Sequence, residues 1–287
     1  MSFRVLVVST VISAKILPNT IFLDKYRKLR ATYRFDGTER PISKSLMQRF
    51  YDVLNDLNVS AMIRTRIKVF SVHDISTFHA GTTMSSYGGL IGIPPNYEYE
   101  NVEDASVGQI EIENKNSTWS EETREKFLEC LVLSENAQKF AIAREVLNVQ
   151  RPEIWVETFI TGMDCFIMFM IYDAIYKTGN FAKKSRMAKL GLQVWLGLVT
   201  LFMCLMTKQA LEYHADGEIT EELAKLGPEY IQGGKEFYEK LCELQDIKNK
   251  TSAGYFKQQW MRNKYLNDAN QKEFLTLKLQ ELENVTM

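Results

Sequence analysis

Leu190 to Thr207, LGLQVWLGLVTLFMCLMT, is a run of eighteen residues without a charge. A helix needs about 20 apolar residues to cross bilayer hydrocarbon, so the run predicts a membrane span. Lys189 and Lys208 bracket it, and such cationic stems reach from an apolar edge to the headgroups. A second run, Ile154 to Tyr176, is interrupted by Glu157, Asp164 and Asp173. A carboxylate near the bilayer centre costs roughly 3 kcal/mol on insertion scales, so Asp164 is expected to face a partner or the protein interior. Residues 177–189 between the runs hold five basic residues and no acid, the composition of a loop on the inner side of a membrane. Gly179 and Asn180 supply the turn. The two runs therefore read as a hairpin, 154–207, with the bulk of the chain on the side opposite the loop. Asp164, Asp173, Gly191 and Gly197 are the membrane residues expected to face a partner, the glycines through close helix approach. A buried helix pair in a soluble domain is the other reading of the runs.

The N-terminal stretch has no acid before Asp24, and Lys15 and Pro18 break its apolar run. Residues 1–23 read as an anchor helix, a targeting segment, or both, closer to mitochondrial import than to a secretory signal. The net charge of −1 gives no sign of nucleic-acid binding. Cys130, Cys165, Cys204 and Cys242 have no C-x-x-C spacing, which excludes a zinc ribbon and argues against a disulfide framework. Asn-x-Ser/Thr triplets begin at Asn58, Asn116, Asn249 and Asn284, a weak signal by themselves.

Outside the hairpin, Leu46, Phe50, Val53, Leu54 and Leu57 recur at helical spacing and predict an amphipathic helix over 43–57. Ile67 to Val72, a piece from Phe78 onwards, and Leu90 to Ile93 read as strands, the last after a turn at 85–89 and before Pro94-Pro95. Gly88-Gly89-x-x-Gly92 is no nucleotide loop, because Pro-Pro blocks a following helix. Residues 101–117 read as a polar loop with an edge strand at 109–113. Helices are expected over 120–130, over 134–148 with Ser134 as cap, over 210–226 and over 229–244. The tail from Lys248 reads as charged, helical near 273–283.

The chemistry centres on Arg144-Glu145-Val146-Leu147-Asn148. A zinc peptidase would carry His-Glu-x-x-His at this point of a helix, two imidazoles one turn apart with a glutamate as general base. Here the ligand positions hold Arg144, a permanent cation, and Asn148, while Glu145 keeps the base position. Downstream, Glu212-x-x-x-Asp216 has the spacing that often supplies a third ligand. One carboxylate does not replace three ligands, so Arg144 is expected to pair with Glu212 in place of a metal. Unrelated surface charges are the alternative. His73, His79 and His214 lie too far apart for one helix to present a pair, although His73 and His79 are free to converge in space.

Leu133-Ser-Glu-Asn-Ala-Gln-Lys-Phe-Ala-Ile-Ala-Arg-Glu-Val146 and Gly233-Gly-Lys-Glu-Phe-Tyr-Glu-Lys-Leu241 resemble the transmembrane protein 177 family, multi-span proteins of the mitochondrial inner membrane. Leu90 to Pro94 and Leu46 to Val59 fit the same pattern more loosely. More distantly, the order of ligand helix, hairpin and Glu-x-x-x-Asp helix resembles membrane zinc peptidases of the HtpX and CAAX-prenyl-protease kind, with both His positions departed from. The resemblance implies an α+β, mostly helical fold: a degenerate zinc-metallopeptidase-like domain (24–153 and 208–247) interrupted by a transmembrane hairpin with basic loop 177–189, and followed by a charged tail, 248–287. It also implies an inactive peptidase homologue without cofactor or metal, its vestigial site made of Arg144, Glu145, Asn148, Glu212 and Asp216. The implied role is stabilising newly made cytochrome c oxidase subunit II and its assembly chaperone. The loop would then face the matrix and the domain the intermembrane space. Alternatives are an active membrane metalloprotease using His73, His79 and Glu212, and a small transporter component with intramembrane carboxylates as its ion path.

Overall fold

The computed structural model describes the backbone of residues 3–108, 120–251 and 255–286, and the side chains of 5–105, 120–247 and 266–284. It is mostly helical with one small mixed sheet. In chain order the helices are α1 (Phe3–Ile16), α2 (Leu23–Arg30), α3 (Lys44–Asp56), α4 (Ala61–Arg64), α5 (Val102–Gly108), α6 (Glu121–Leu131), α7 (Glu135–Gln150), α8 (Glu153–Thr178), α9 (Arg186–Ala224), α10 (Pro228–Thr251) and α11 (Tyr255–Thr286). Strands β1 (Ile67–Ser71), β2 (Phe78–Thr82) and β3 (Gly88–Ile93) lie between α4 and α5.

The sheet runs β1-β3-β2, with β1 parallel and β2 antiparallel to the central β3. All six residues of β3 are buried, as a strand covered on both faces should be. Gly88 and Gly89 belong to this strand, not to the expected turn before it. Gly89 is needed for close approach: a Cβ there would lie 2.8 Å from Val149 Cβ of α7.

Helix α7 forms the centre. Ser134 caps it, its Oγ accepting from the Ala137 amide at 3.2 Å. The helix is buried on nearly every side, including the polar Gln138, Glu145 and Asn148, as expected of a helix enclosed in a core. The main core gathers α3 through Leu46, Phe50, Val53 and Leu54, and α7 through Phe140, Ile142 and Val146. Ile219 and Leu223 of α9 join it, with Phe237 and Tyr238 of α10. The GGKEFYEKL block has its steric reason here. A Cβ on Gly233 would lie 2.3 Å from the Asn136 carbonyl oxygen, and one on Gly234 2.6 Å from the Phe140 ring.

Two helices, α8 and α9, are long and apolar enough to cross a membrane, and the α1–α2 pair, bent by 67°, is a candidate third. The chain is therefore a membrane protein with two or three candidate spans. The helices α8 and α9 pack on one another, and α1 packs on α8. Lys15 of α1 donates to Glu157 Oε1 and to Thr161 Oγ1, both at 2.7 Å. Asp164 accepts from Thr207 Oγ1 across the hairpin at 3.3 Å. That donor offsets part of the cost of a carboxylate in hydrocarbon. Asp173 is half-buried, and Gly191 and Gly197 have open space where a side chain would stand.

Two expectations are corrected. The span at 190–207 and the helix at 210–226 are one helix, α9, whose 39 residues extend about 58 Å, nearly twice a bilayer's hydrocarbon. No Pro lies between them to break it, so backbone bonding continues out of the membrane into the domain. The polar stretch at 101–117 starts with α5, whose Ala105 is buried; the strand expected at 109–113, like Asn116, lies outside the described residues. The helix expected near 273–283 lies within α11, which packs along α10 and buries Leu275 in the main core.

Candidate functional site

One turn of α7 presents Arg144, Glu145 and Asn148 beside the sheet, and a buried polar network grows from it. Glu145 is only 2% exposed. Its Oε2 lies 2.5 Å from His79 Nδ1 on β2 and accepts from Asn148 Nδ2 at 3.3 Å. Its Oε1 accepts from Thr77 Oγ1 at 2.9 Å and from Arg144 Nη1 at 3.2 Å. Four contacts on two oxygens satisfy a carboxylate that burial alone would leave uncompensated.

Arg144 then reaches away from the sheet. Its Nη2 donates to Asp216 Oδ1 on α9 at 2.7 Å, and Asp216 Oδ2 accepts from Asn267 Nδ2 on α11 at 2.8 Å. The network ties strand, central helix, membrane-derived helix and C-terminal helix together. The expected Arg144–Glu212 pair is not formed: the partner of Arg144 lies one helical turn further along α9. Glu212, one turn nearer the apolar run of α9, is exposed and pairs with Lys208 at 3.5 Å. Glu212 and Asp216 share a face at i and i+4, so spacing could not choose between them, and the height at which α9 crosses α7 selects Asp216.

The charges set one another's protonation. Burial pushes the Glu145 carboxyl up, but the neighbouring His79 and Arg144 charges and the hydrogen bonds from His79 and Thr77 outweigh it and bring it down to about 2. For His79, burial of the ring's inner edge opposes protonation, and the Glu145 charge and hydrogen bond overcome this and raise it. The outer part of the imidazole stays open, its side chain 42% exposed. Burial and the Glu145 charge hold the nearby Tyr97 phenol well above its ordinary value.

Chemically, the two positions where a zinc helix would offer lone pairs instead donate hydrogen bonds, Arg144 to Asp216 and Glu145, and Asn148 to Glu145. Guanidinium has no acceptor. Among the described residues no group of three or more His, Cys, Asp or Glu side chains could hold a metal ion. His73, His79 and Glu212 are therefore not brought together: His79 is engaged with Glu145, and Glu212 with Lys208. Sequence reasoning missed His79, Thr77 and Asn267 as members of the network. Sixty-six residues separate His79 from Glu145, and only the alternating pattern around β2, which turns His79 away from the buried Ala80 and Thr82, carried a signal.

A family model described as transmembrane protein 177 matches residues 7–265. The transmembrane protein 177 of Danio rerio is 27% identical over 235 residues, covering 79% of this chain and 71% of that protein. The mouse protein of the same name is 26% identical over 212 residues, covering 71% of this chain and 65% of its own length. The human one is 24% identical over 212 residues, with the same two coverages. The chain thus spans a little under two thirds of the mouse and human relatives. No solved structure matches. With a match over most of its length that takes in His79, Arg144, Glu145, Asp216 and the hairpin alike, this chain belongs to the transmembrane protein 177 family.

Proposed function

We propose that this protein is a non-catalytic assembly factor of the mitochondrial inner membrane, stabilising newly made cytochrome c oxidase subunit II together with that subunit's assembly chaperone. The observation that carries the non-catalytic part is the Arg144–Asp216 ion pair at 2.7 Å. It puts a guanidinium where a peptidase would keep a metal ligand, and the enclosed Glu145 has no free oxygen edge for a water. In this reading Arg144, Glu145, Asn148 and Asp216 are a vestigial site turned into a structural clasp, and Glu212 has drifted out of it. Binding then falls to the membrane hairpin, whose Phe159, Phe166, Trp195 and Phe202 are exposed. A nascent subunit whose helices need shielding is a fitting client for such a surface. The basic loop would lie in the matrix and the folded domain in the intermembrane space.

The test is a rescue in cells lacking the protein. Newly made mitochondrial translation products are pulse-labelled and subunit II is followed through the chase. Wild type is expected to lengthen the lifetime of subunit II selectively; an unchanged lifetime sinks the assembly reading. A Glu145→Gln, Asp216→Asn variant leaves Arg144 without a carboxylate and is expected to be less stable, but at equal expressed level to rescue as well as wild type. If it accumulates normally and does not rescue, the carboxylates have a chemical role and the enzyme reading returns.

A further inference from the structure

The charged side chains from Lys177 to Lys189 are all basic. Loops of this composition orient membrane hairpins, but here the fold builds the loop into a defined shelf. Asn180 takes a left-handed turn, φ 49°. Tyr172, Tyr176 and Phe181 then stack in a ladder, with ring centroids 5.6 Å and 6.2 Å apart. Lys184 lies over the Phe181 ring at 4.3 Å, and Lys189 Nζ donates to the Ala182 carbonyl at 2.9 Å. Ser185 caps α9, its Oγ accepting from the Ala188 amide. Lys183, Lys184 and Arg186 are exposed, and among the described residues none of the three meets a carboxylate within 4.0 Å. Just along the chain, Met187, Leu190 and Val194 are 77%, 54% and 55% exposed. They recur three and four residues apart, one face of α9.

An apolar face ending in unpaired cations, beside aromatic rings at the depth where such rings gather, matches a lipid with its phosphate at the cations and its acyl chains along α9. We propose that the 181–189 shelf binds the phosphate groups of anionic glycerophospholipids and seats their chains against Met187, Leu190 and Val194. A zwitterionic choline lipid carries its own cation and has less need of the site. The α9 N-terminus, without an acid in its first turn, adds potential of the same sign. Each cation near an anionic surface is worth about fivefold in binding, less when several crowd together.

The experiment uses the purified full-length protein in neutral detergent, with phosphatidylglycerol (one phosphate), cardiolipin (two phosphates), phosphatidylcholine or inorganic phosphate added, and reads bound lipid by native mass spectrometry. Both anionic lipids are expected to bind at least about tenfold more tightly than phosphatidylcholine, and Lys183→Gln, Lys184→Gln, Arg186→Gln together to remove at least about tenfold of that. Equal retention by variant and wild type, or equal binding of anionic and choline lipids, overturns the proposal. Displacement of the lipid by millimolar inorganic phosphate also overturns it, showing a free-anion site. Should the triple variant fail to fold, amine acetylation of the wild type decides. Anionic lipid is expected to protect Lys183 and Lys184 but not Lys225, the residue just past the far end of α9, and uniform reactivity refutes the site.

Discussion

His79 Nδ1 lies 2.5 Å from Glu145 Oε2, joining the half-open edge strand of the sheet to an almost fully enclosed carboxylate. The pair is the inner end of a chain of contacts that runs through Arg144 and Asp216 to Asn267 on the last helix. The stability of the domain, and its attachment to the membrane-crossing α9, therefore depend on the protonation and integrity of a few side chains.

The pH dependence follows from the two shifts. Glu145 is held near 2 against an ordinary 4.5, so its contribution is present above about pH 4.5 and is lost as pH falls toward 2. His79 is raised above 6.5, so its contribution is present below about 6.5 and is lost as pH rises through the raised value. Thermal unfolding of the detergent-solubilised protein is expected to show its highest Tm between about pH 4.5 and 6.5. His79→Gln should flatten the alkaline fall, and an unchanged alkaline slope in that variant would count against the linkage.

Breaking the clasp from one side should cost more than removing it whole. Arg144→Met leaves Asp216 and Glu145 short of a partner and is expected to destabilise by about 3 kcal/mol. Adding Asp216→Leu should recover part of that loss, because an apolar pair replaces a desolvated ion pair. A double-mutant cycle in denaturant, with Arg144→Met, Glu212→Gln as the comparison, tests the assignment. Recovery with Glu212→Gln but not with Asp216→Leu would mean the partner is misassigned.

At the membrane end, α1 is held to α8 by Lys15–Glu157 and by the close contact of Ile12 Cδ1, 3.6 Å from where a Gly162 side chain would begin. Gly162→Ala should be tolerated and Gly162→Leu should push α1 away, since the longer side chain runs into Ile12. Protease access to the α1–α2 junction reports this. Lys15→Glu with Glu157→Lys should restore protection that Lys15→Glu alone loses.

The C-terminal helix is predicted to be integral to the fold. Leu275→Ala removes a fully buried side chain from the main core and should cost about 2–5 kcal/mol. Leu277→Ala, two residues on and 53% exposed, should cost under about 0.5 kcal/mol. Similar losses at both positions, measured by chemical denaturation, would show that α11 does not dock as described.

What the sequence determined by itself was whatever depends on neighbours a few residues apart. The apolar runs of α8 and α9, the Ser134 cap, and the amphipathic spacing of Leu46, Phe50, Val53 and Leu54 could all be read directly, because a helix bonds to itself within four residues. The position of Glu145 in a motif without metal ligands could also be read. The tertiary structure alone decided the partners. Whether Arg144 meets Glu212 or Asp216, whether His79 lies on Glu145, and whether Leu275 turns inward depend on how elements far apart in the chain cross one another. A contact between residues 66 or 72 positions apart leaves no local period, since burial fixes the crossing by summing many weak contacts at once. The continuity of α9 belongs with these: polar residues past Thr207 end the apolar signal, but backbone hydrogen bonding does not depend on polarity and carries the helix on into the domain.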